Sequence, residues 1–258
     1  MNGTSISHLF ILTGASRGMG RALAEQLLQP GHHLLTLSRH VRGDLSAKAH
    51  AAGAELTQWS VDLSDGISAS EQLRSWLSIQ DAQRFASATL INNAGMIPPL
   101  VPLRNAASND LQHALRVGLE APLLLASAFL NGTREWTGDR KVLNISSGLG
   151  RRAMASQSAY CAAKAGLDHF TRCLALDEAT QPHGARVCSL APGVVDTDMQ
   201  VQLRGADAAD FPEQDRFSQL KSNNQLSSPS DAARQVLAWL NRDDFGMLAV
   251  ADVRTGNP

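Results

Sequence analysis

Neither sign of charge dominates this chain. It carries 23 basic and 24 acidic side chains, a formal net charge of −1, so nothing in the balance points to nucleic acid or an anionic membrane as a partner. Cysteine is scarce. Cys161, Cys173 and Cys188 lack metal-ligand spacing, and none of the 8 histidines forms an H-x-x-x-H pair, so no metal site is expected. A sparse, odd cysteine count fits a reducing compartment. No apolar run approaches the ~20 residues a membrane helix needs. The stretch Met1 to Ser7 has neither the basic nor the apolar region of a signal peptide. These shortages leave a soluble, cytoplasmic protein acting on a small molecule as the expectation. One more shortage matters: Tyr160 is the only tyrosine in 258 residues.

Hydrophobic residues make up 43% of the chain, enough for a substantial core. They fall in short runs that alternate with helical patterns. His8 to Thr13 reads as a buried strand, and Arg21 to Leu28 as a helix stopped by Pro30-Gly31. Strands are expected at 34–37, 56–61, 89–91, 142–145 and 186–190, with a last one at 247–250. Helices are expected at 47–53, 71–77, 110–130 and 159–176. Ser228-Pro229-Ser230-Asp231 has a helix-start pattern: a capping hydroxyl, proline at the first position and an acid three residues on. Alternation with short connections predicts an α/β Rossmann fold, a doubly wound parallel β-sheet with helices on both faces. No linker divides the chain, so residues 1–258 are expected to form a single domain. The one long irregular stretch, about 196–227, has the length of a lid or binding loop.

The chemistry-bearing stretch runs from Asn144 to Lys164. On one helix, Tyr160 and Lys164 share a face at i, i+4, and an ammonium near a phenol favours the phenolate. Bringing a tyrosine from its usual pKa to neutral acid–base work needs a shift of roughly 2–3 units, more than one lysine supplies. An oxidised nicotinamide ring could add the rest. Ser147, 13 residues before Tyr160, ends a predicted strand and could hydrogen-bond a carbonyl oxygen at the same spot.

Between the first strand and helix lie Gly14, Gly18 and Gly20. Glycines there let the backbone approach a pyrophosphate seated on a helix N-terminus. After the second strand comes Ser38-Arg39, with Arg42 beyond. A carboxylate for a ribose 2′-hydroxyl is missing there, whereas a hydroxyl and a guanidinium suit a 2′-phosphate. Arg17 could add a second cation. NADP(H) is therefore expected over NAD(H); the competing reading makes Arg39 and Arg42 solvated surface residues.

With these motifs in order, the chain resembles the short-chain dehydrogenase/reductase family over nearly its whole length. T-G-A-S-R-G-M-G at 13–20 is similar to the family's cofactor loop, which implies cofactor contacts from Gly14, Ser16, Arg17, Gly18, Met19 and Gly20. Asn92-Asn93-Ala94-Gly95 is similar to its N-N-A-G signature, which implies Asn93, Ala94 and Gly95. The resemblance places Asp62 and Leu63 beside the adenine, and Pro192, Gly193, Val195 and Thr197 beside the nicotinamide. It makes Ser147 the residue that polarises a substrate carbonyl, Tyr160 the proton donor, and Lys164 a ribose ligand that lowers the Tyr160 pKa. Ser38-Arg39 and the ending Ala251-Asp252-Val253-Arg254 are similar to the sepiapterin-reductase and benzil-reductase branch.

One position departs from the pattern. Gly118 stands where the family has a helix asparagine that helps hold a water linking the lysine to solvent. Either a further water fills the gap or proton resupply is impaired. Met96 to Pro102, Leu149 to Ser158 and the loop after Thr197, with Met199, Leu203, Phe211 and Phe217, would either form an apolar substrate wall or pack the lid onto the core. Arg151 and Arg152 either meet a polar group or are solvated. The resulting expectation is an NADPH-dependent reductase of ketones, aldehydes or diketones, forming a homodimer or homotetramer. Two alternatives stay open: a cofactor-binding sensor or scaffold, and a nucleotide-sugar epimerase or dehydratase.

Overall fold

The computed structural model describes residues 7–255; Met1 to Ile6, on which the signal-peptide reading chiefly rests, lie outside them. The first half runs β1 (Ser7–Thr13), α1 (Gly18–Leu27), β2 (His32–Ser38), α2 (Gly43–Ala52), β3 (Glu55–Ser60), α3 (Gly66–Leu77) and β4 (Phe85–Asn92). The second half runs α4 (Ser108–Leu115), α5 (Ala121–Gly132), β5 (Asp139–Ile145), α6 (Ser158–Ala179), β6 (Arg186–Ala191), α7 (Asp198–Arg204), α8 (Gln214–Ser222), α9 (Pro229–Leu240) and β7 (Val250–Asp252). The strands form one sheet in the order β3-β2-β1-β4-β5-β6-β7, every neighbouring pair parallel. This is the expected doubly wound Rossmann fold.

Period-two alternation explains the layering. Along β1, Phe10 and Leu12 join a core with Leu23, Leu27, Leu45 and Val236 from α1, α2 and α9. Leu9 and Ile11 point the other way, into a core with Leu73, Leu77, Leu125 and Phe129 from α3 and α5. The connections reverse direction between β1 and β4, which opens a crevice beyond the C-terminal strand ends. A buried polar chain fixes α6 against that crevice: Asn92 Nδ2 donates to Asn144 Oδ1 at 2.9 Å, and Asn144 Nδ2 donates to Thr171 Oγ1 at 2.9 Å. As the sequence indicates, Ser228 caps α9, its Oγ accepting from the Asp231 N–H at 3.1 Å.

Three expectations need correction. The helix expected at 110–130 is interrupted: α4 passes through a π-helical turn, Arg116–Glu120, before α5. The whole stretch Ser108–Gly132 is 25 residues long and apolar enough to cross a membrane by length and composition. Its residues Ala121, Leu125, Ala126 and Phe129 are buried in the core shared with α3, the packing of a core helix. Next, the stretch 196–227 is not irregular. It holds α7 and α8, and its ends are pinned together: the Asp196 N–H donates to the Ser227 carbonyl and the Ser227 N–H to the Val194 carbonyl, each at 2.9 Å. Finally, the last strand lies at 250–252 rather than 247–250. Met247 and Leu248 are exposed, while Ala251 and Asp252 are buried beside β6.

Candidate active site

A cavity of about 830 Å³ occupies the crevice. One end is built by the β1–α1 turn. Gly14 has a φ of 73°, a left-handed conformation that favours glycine. A Cβ on Gly20 would lie 2.1 Å from the Gly14 carbonyl oxygen, so only glycine permits this turn to fold against the helix. The α1 N-terminus has no side-chain cap, which leaves first-turn N–H groups free for an anion. Ser16, Arg17, Gly18 and Met19 line the same wall.

Ser38, Arg39, Asp62 and Leu63 line the cavity from the β2 and β3 ends. The Ser38 Oγ accepts from the Ala15 N–H at 2.8 Å, so it braces the glycine turn and keeps its own O–H to donate. Arg39 makes no ion pair with any described residue. Arg42 does not share that freedom: its guanidinium pairs with Asp44 at 2.9 Å, and it is not among the residues lining the cavity. Arg17 pairs with Asp198 at 3.2 Å, both well exposed, a contact weak enough to exchange for a ligand. Asp62 accepts from the Ser64 N–H at 2.9 Å, and that bond foremost holds its carboxyl below the usual range.

Asn93, Ala94 and Gly95 also line the cavity, but the Asn93 side chain has a structural task. Its Nδ2 donates to the Thr13 carbonyl at 2.9 Å, and the Thr13 Oγ1 accepts from the Asn93 and Ala94 N–H groups. This clamp joins β1 to β4 at the switch point. Thr13 opens the T-G-A-S-R-G-M-G motif at 13–20 but is not among the residues read there as cofactor contacts.

Ser147, Tyr160 and Lys164 line the cavity with Pro192, Gly193, Val195 and Thr197, and Thr197 reaches back to the glycine turn, where a Cβ on Gly18 would meet its Cγ2 at 3.2 Å. The Lys164 Nζ donates to the Ile145 carbonyl at 2.7 Å and lies 5.7 Å from the Tyr160 ring centre. Gly95 leaves space above it, since a Cβ there would be 3.7 Å from Nζ. Burial pushes Lys164 down to about 8, with Asp168 pulling the other way. The Tyr160 phenol is raised by burial, and the Ser147 hydroxyl only partly opposes this. The expected lowering by Lys164 does not enter: desolvation sets the direction, and Ser147 alone opposes it.

Of the other cavity residues, His113 escaped the sequence reading, Gln157 and Gln200 are polar members of stretches read as an apolar wall, and Asp252 and Arg254 were read only for the branch resemblance. Asp252 is clamped by Arg254 at 2.7 Å and by Arg151 at 3.3 Å; the Arg151 alternative therefore resolves to a contact with the β7 end. Ile97, Leu100, Met154, Leu203, Phe211 and Phe217 pack with Tyr160 in an apolar cluster.

A glycine turn on a free helix N-terminus, at the switch point of a parallel sheet, defines a dinucleotide-binding α/β protein. Residues 8–208 match the short chain dehydrogenase family, and the chain belongs to it: it is an NAD(P)-dependent oxidoreductase acting on carbonyl or alcohol groups. Benzil reductase ((S)-benzoin forming) of Bacillus subtilis is 37% identical over 234 residues, covering 91% of this chain and 93% of that protein. Sepiapterin reductase of Meriones unguiculatus is 32% identical over 245 residues, covering 91% and 92%. A metagenomic short-chain oxidoreductase solved in complex with NADP superposes with a TM-score of 0.71 at 25% identity, covering 96% of each chain.

Proposed function

We propose that the chain reduces an apolar ketone, aldehyde or diketone to an alcohol with NADPH. The observation that carries this reading is the placement of Ser147, Tyr160 and Lys164 in one cavity with the glycine turn and an unpaired Arg39. The residues fit the cofactor: backbone N–H groups of the α1 start for the pyrophosphate, Ser38 and Arg39 for a 2′-phosphate, Asp62 and Leu63 for the adenine, and Pro192 to Thr197 for the nicotinamide. When bound, NADPH supplies a hydride to the carbonyl carbon.

Ser147 donates a hydrogen bond to the carbonyl oxygen and fixes it beside the phenol. Tyr160 then gives that oxygen its proton. Its raised pKa keeps it neutral at ordinary pH, the form a donor needs. Lys164, an ammonium anchored on the Ile145 carbonyl, would hold a ribose hydroxyl of the bound cofactor and can return a proton toward Tyr160. The 196–227 segment, hinged at its pinned ends, is the lid that keeps water from the reacting carbonyl. Ketone, diketone and aldehyde substrates suit the apolar cluster of Ile97, Met154, Leu203 and Phe217, and the names of the benzil reductase and sepiapterin reductase relatives support a carbonyl substrate. We also infer a homodimer or homotetramer through α4–α5 and α6; Leu115 and Leu176 are exposed there, and a monomeric mass in solution would refute it.

Tyr160→Phe tests the mechanism. Loss of a general acid is worth roughly 10²–10⁴-fold, so NADPH oxidation on a panel of aromatic diketones and aldehydes should fall by at least that much. NADPH affinity should be retained. A variant that still turned over at the parent rate would remove Tyr160 from the reaction.

A further inference from the structure

Arginines crowd a part of the cavity that the mechanism leaves unused. Arg151, Arg152, Arg216 and Arg254 all border it, and two carboxylates answer them. Arg216 is matched by Glu213 at 2.9 Å. Asp252, buried at the end of β7, serves two guanidiniums at once. Arg254 grips it with two parallel bonds, Nε to Oδ1 at 2.8 Å and Nη2 to Oδ2 at 2.7 Å, and Arg151 adds a contact at 3.3 Å. One negative charge between two positive ones leaves a surplus. Arg152 adds a second: it is exposed and forms no ion pair with any described residue.

Both surpluses fall beside Ser147. A Cβ on Gly148, the next residue, would lie 3.8 Å from the Arg254 Nη2, and a Cβ on Gly193 would lie 3.9 Å from the Arg254 Cδ. Arg254 therefore runs from the segment after β6 to the serine turn. Arg152 is tied to the same glycine, its N–H donating to the Gly148 carbonyl at 3.1 Å. Its charge also reaches Cys161, the residue after Tyr160: burial pushes that thiol up and Arg152 opposes it. The cofactor's anionic groups have their own partners in the proposed fit, at the α1 start and at Ser38 and Arg39. Asp252, with both oxygens taken, has little to offer a cationic substrate. We propose that Arg152 and Arg254 form an anion-binding subsite beside Ser147, and that the carbonyl substrate is an oxo acid: an apolar body carrying a carboxylate, the planar oxyanion a guanidinium grips with two parallel bonds. This rests on the carbonyl-reductase reading above and narrows it to one substrate class.

Matched probes that differ by one charge test it: 4-oxo-4-phenylbutanoate and 5-oxo-5-phenylpentanoate, each against its methyl ester. A charge-assisted hydrogen bond at a partly exposed site is worth roughly a 10-fold effect. At one chain length or the other, the acid should have a KM lower than its ester by about that factor, and added salt should shrink the difference. Arg152→Gln and Arg254→Gln should each move the acid's KM toward the ester's, and Arg254→Lys, which keeps the charge, should retain part of the preference. Arg152→Gln carries the test alone if Arg254→Gln lowers the melting temperature by loosening the Asp252 clamp. Calorimetric binding of the same probes to Tyr160→Phe protein loaded with NADPH makes the comparison without turnover. An acid preference there that the arginine substitutions remove supports the subsite even if no carbonyl is reduced, an outcome that would instead sink the reductase reading. Equal affinity for acid and ester at both lengths, or a preference that survives both substitutions, overturns the proposal. So does a loss of NADPH affinity in Arg152→Gln as large as its loss of acid preference, which would assign the charge to the cofactor.

Discussion

Arg39 differs from the other cations at the glycine-turn end of the cavity. Arg17, Arg21 and Arg42 all hold carboxylates; Arg39 pairs with none of the described residues, beside a Ser38 hydroxyl whose proton is free. A charge-assisted hydrogen bond to a phosphate is worth about 1.5–3 kcal/mol. Arg39→Ala should therefore weaken NADPH binding roughly 10- to 100-fold and leave NADH binding nearly unchanged, as fluorescence titration of both nucleotides would show. Equal losses would mean that Arg39 supports the turn rather than reading the phosphate. Lys164 sets a second expectation at this scale. With its pKa at about 8, it is an ammonium below that pH and neutral above it, while the raised Tyr160 phenol stays protonated across the same range. In the reductive direction, kcat/KM for NADPH should be level through neutral pH and fall as pH rises through about 8. Alcohol oxidation, which needs the phenolate, should rise instead. A reductive profile that climbed through this range would assign the proton donor elsewhere.

Among the elements, the π turn between α4 and α5 holds Gly118, and its packing changes how that residue is to be read. A Cβ on Gly118 would meet the Ala163 Cβ at 3.1 Å, and a Cβ on Gly166 would meet Leu119 at 2.9 Å. Each helix thus presents a glycine to a side chain of the other, and α6 sits closer than a larger residue would allow. Ala163 has no rotamer with which to yield, and it immediately precedes Lys164. Gly118→Asn gains helix propensity of at most about 1 kcal/mol but overpacks this contact at a cost of about 1–3 kcal/mol. The variant should melt lower and turn over no faster. Much faster turnover would show that the absent side chain limits proton resupply.

The same packing shows what the sequence could and could not disclose. Motif residues were legible because a doubly wound sheet delivers every strand's C-terminal end to one crevice, so local signatures at 14–20, 92–95, 147 and 192–197 converge without further information. The π turn was not, since Val117-Gly118-Leu119 reads as ordinary helix and the break depends on a partner 45 residues away. Nor were α7 and α8: their faces are mostly polar, and a few scattered residues, Met199, Leu203, Phe217 and Leu220, report the apolar cluster they cover. Gln157 fell inside a stretch read as an apolar wall, and its unpaired amide is visible only once its surroundings are known.

For the molecule as a whole, the cavity wall draws on the C-terminal ends of β1 through β6 and on α6 and α7. Unfolding any layer destroys the site, so a ligand bound there stabilises the entire fold by mass action. At 100 times its Kd this amounts to about 2.7 kcal/mol. At about 2–4 °C per kcal/mol for a domain of this class, NADPH should raise the melting temperature by roughly 5–11 °C. NADH at the same concentration should raise it less, by a margin that Arg39→Ala removes. If the phenol acts on the substrate oxygen, as proposed, Tyr160→Phe should keep the NADPH shift while losing turnover. A shift lost together with turnover would instead make Tyr160 part of the nucleotide site. Absence of any shift in the parent protein would mean that the cavity is not where the nucleotide binds.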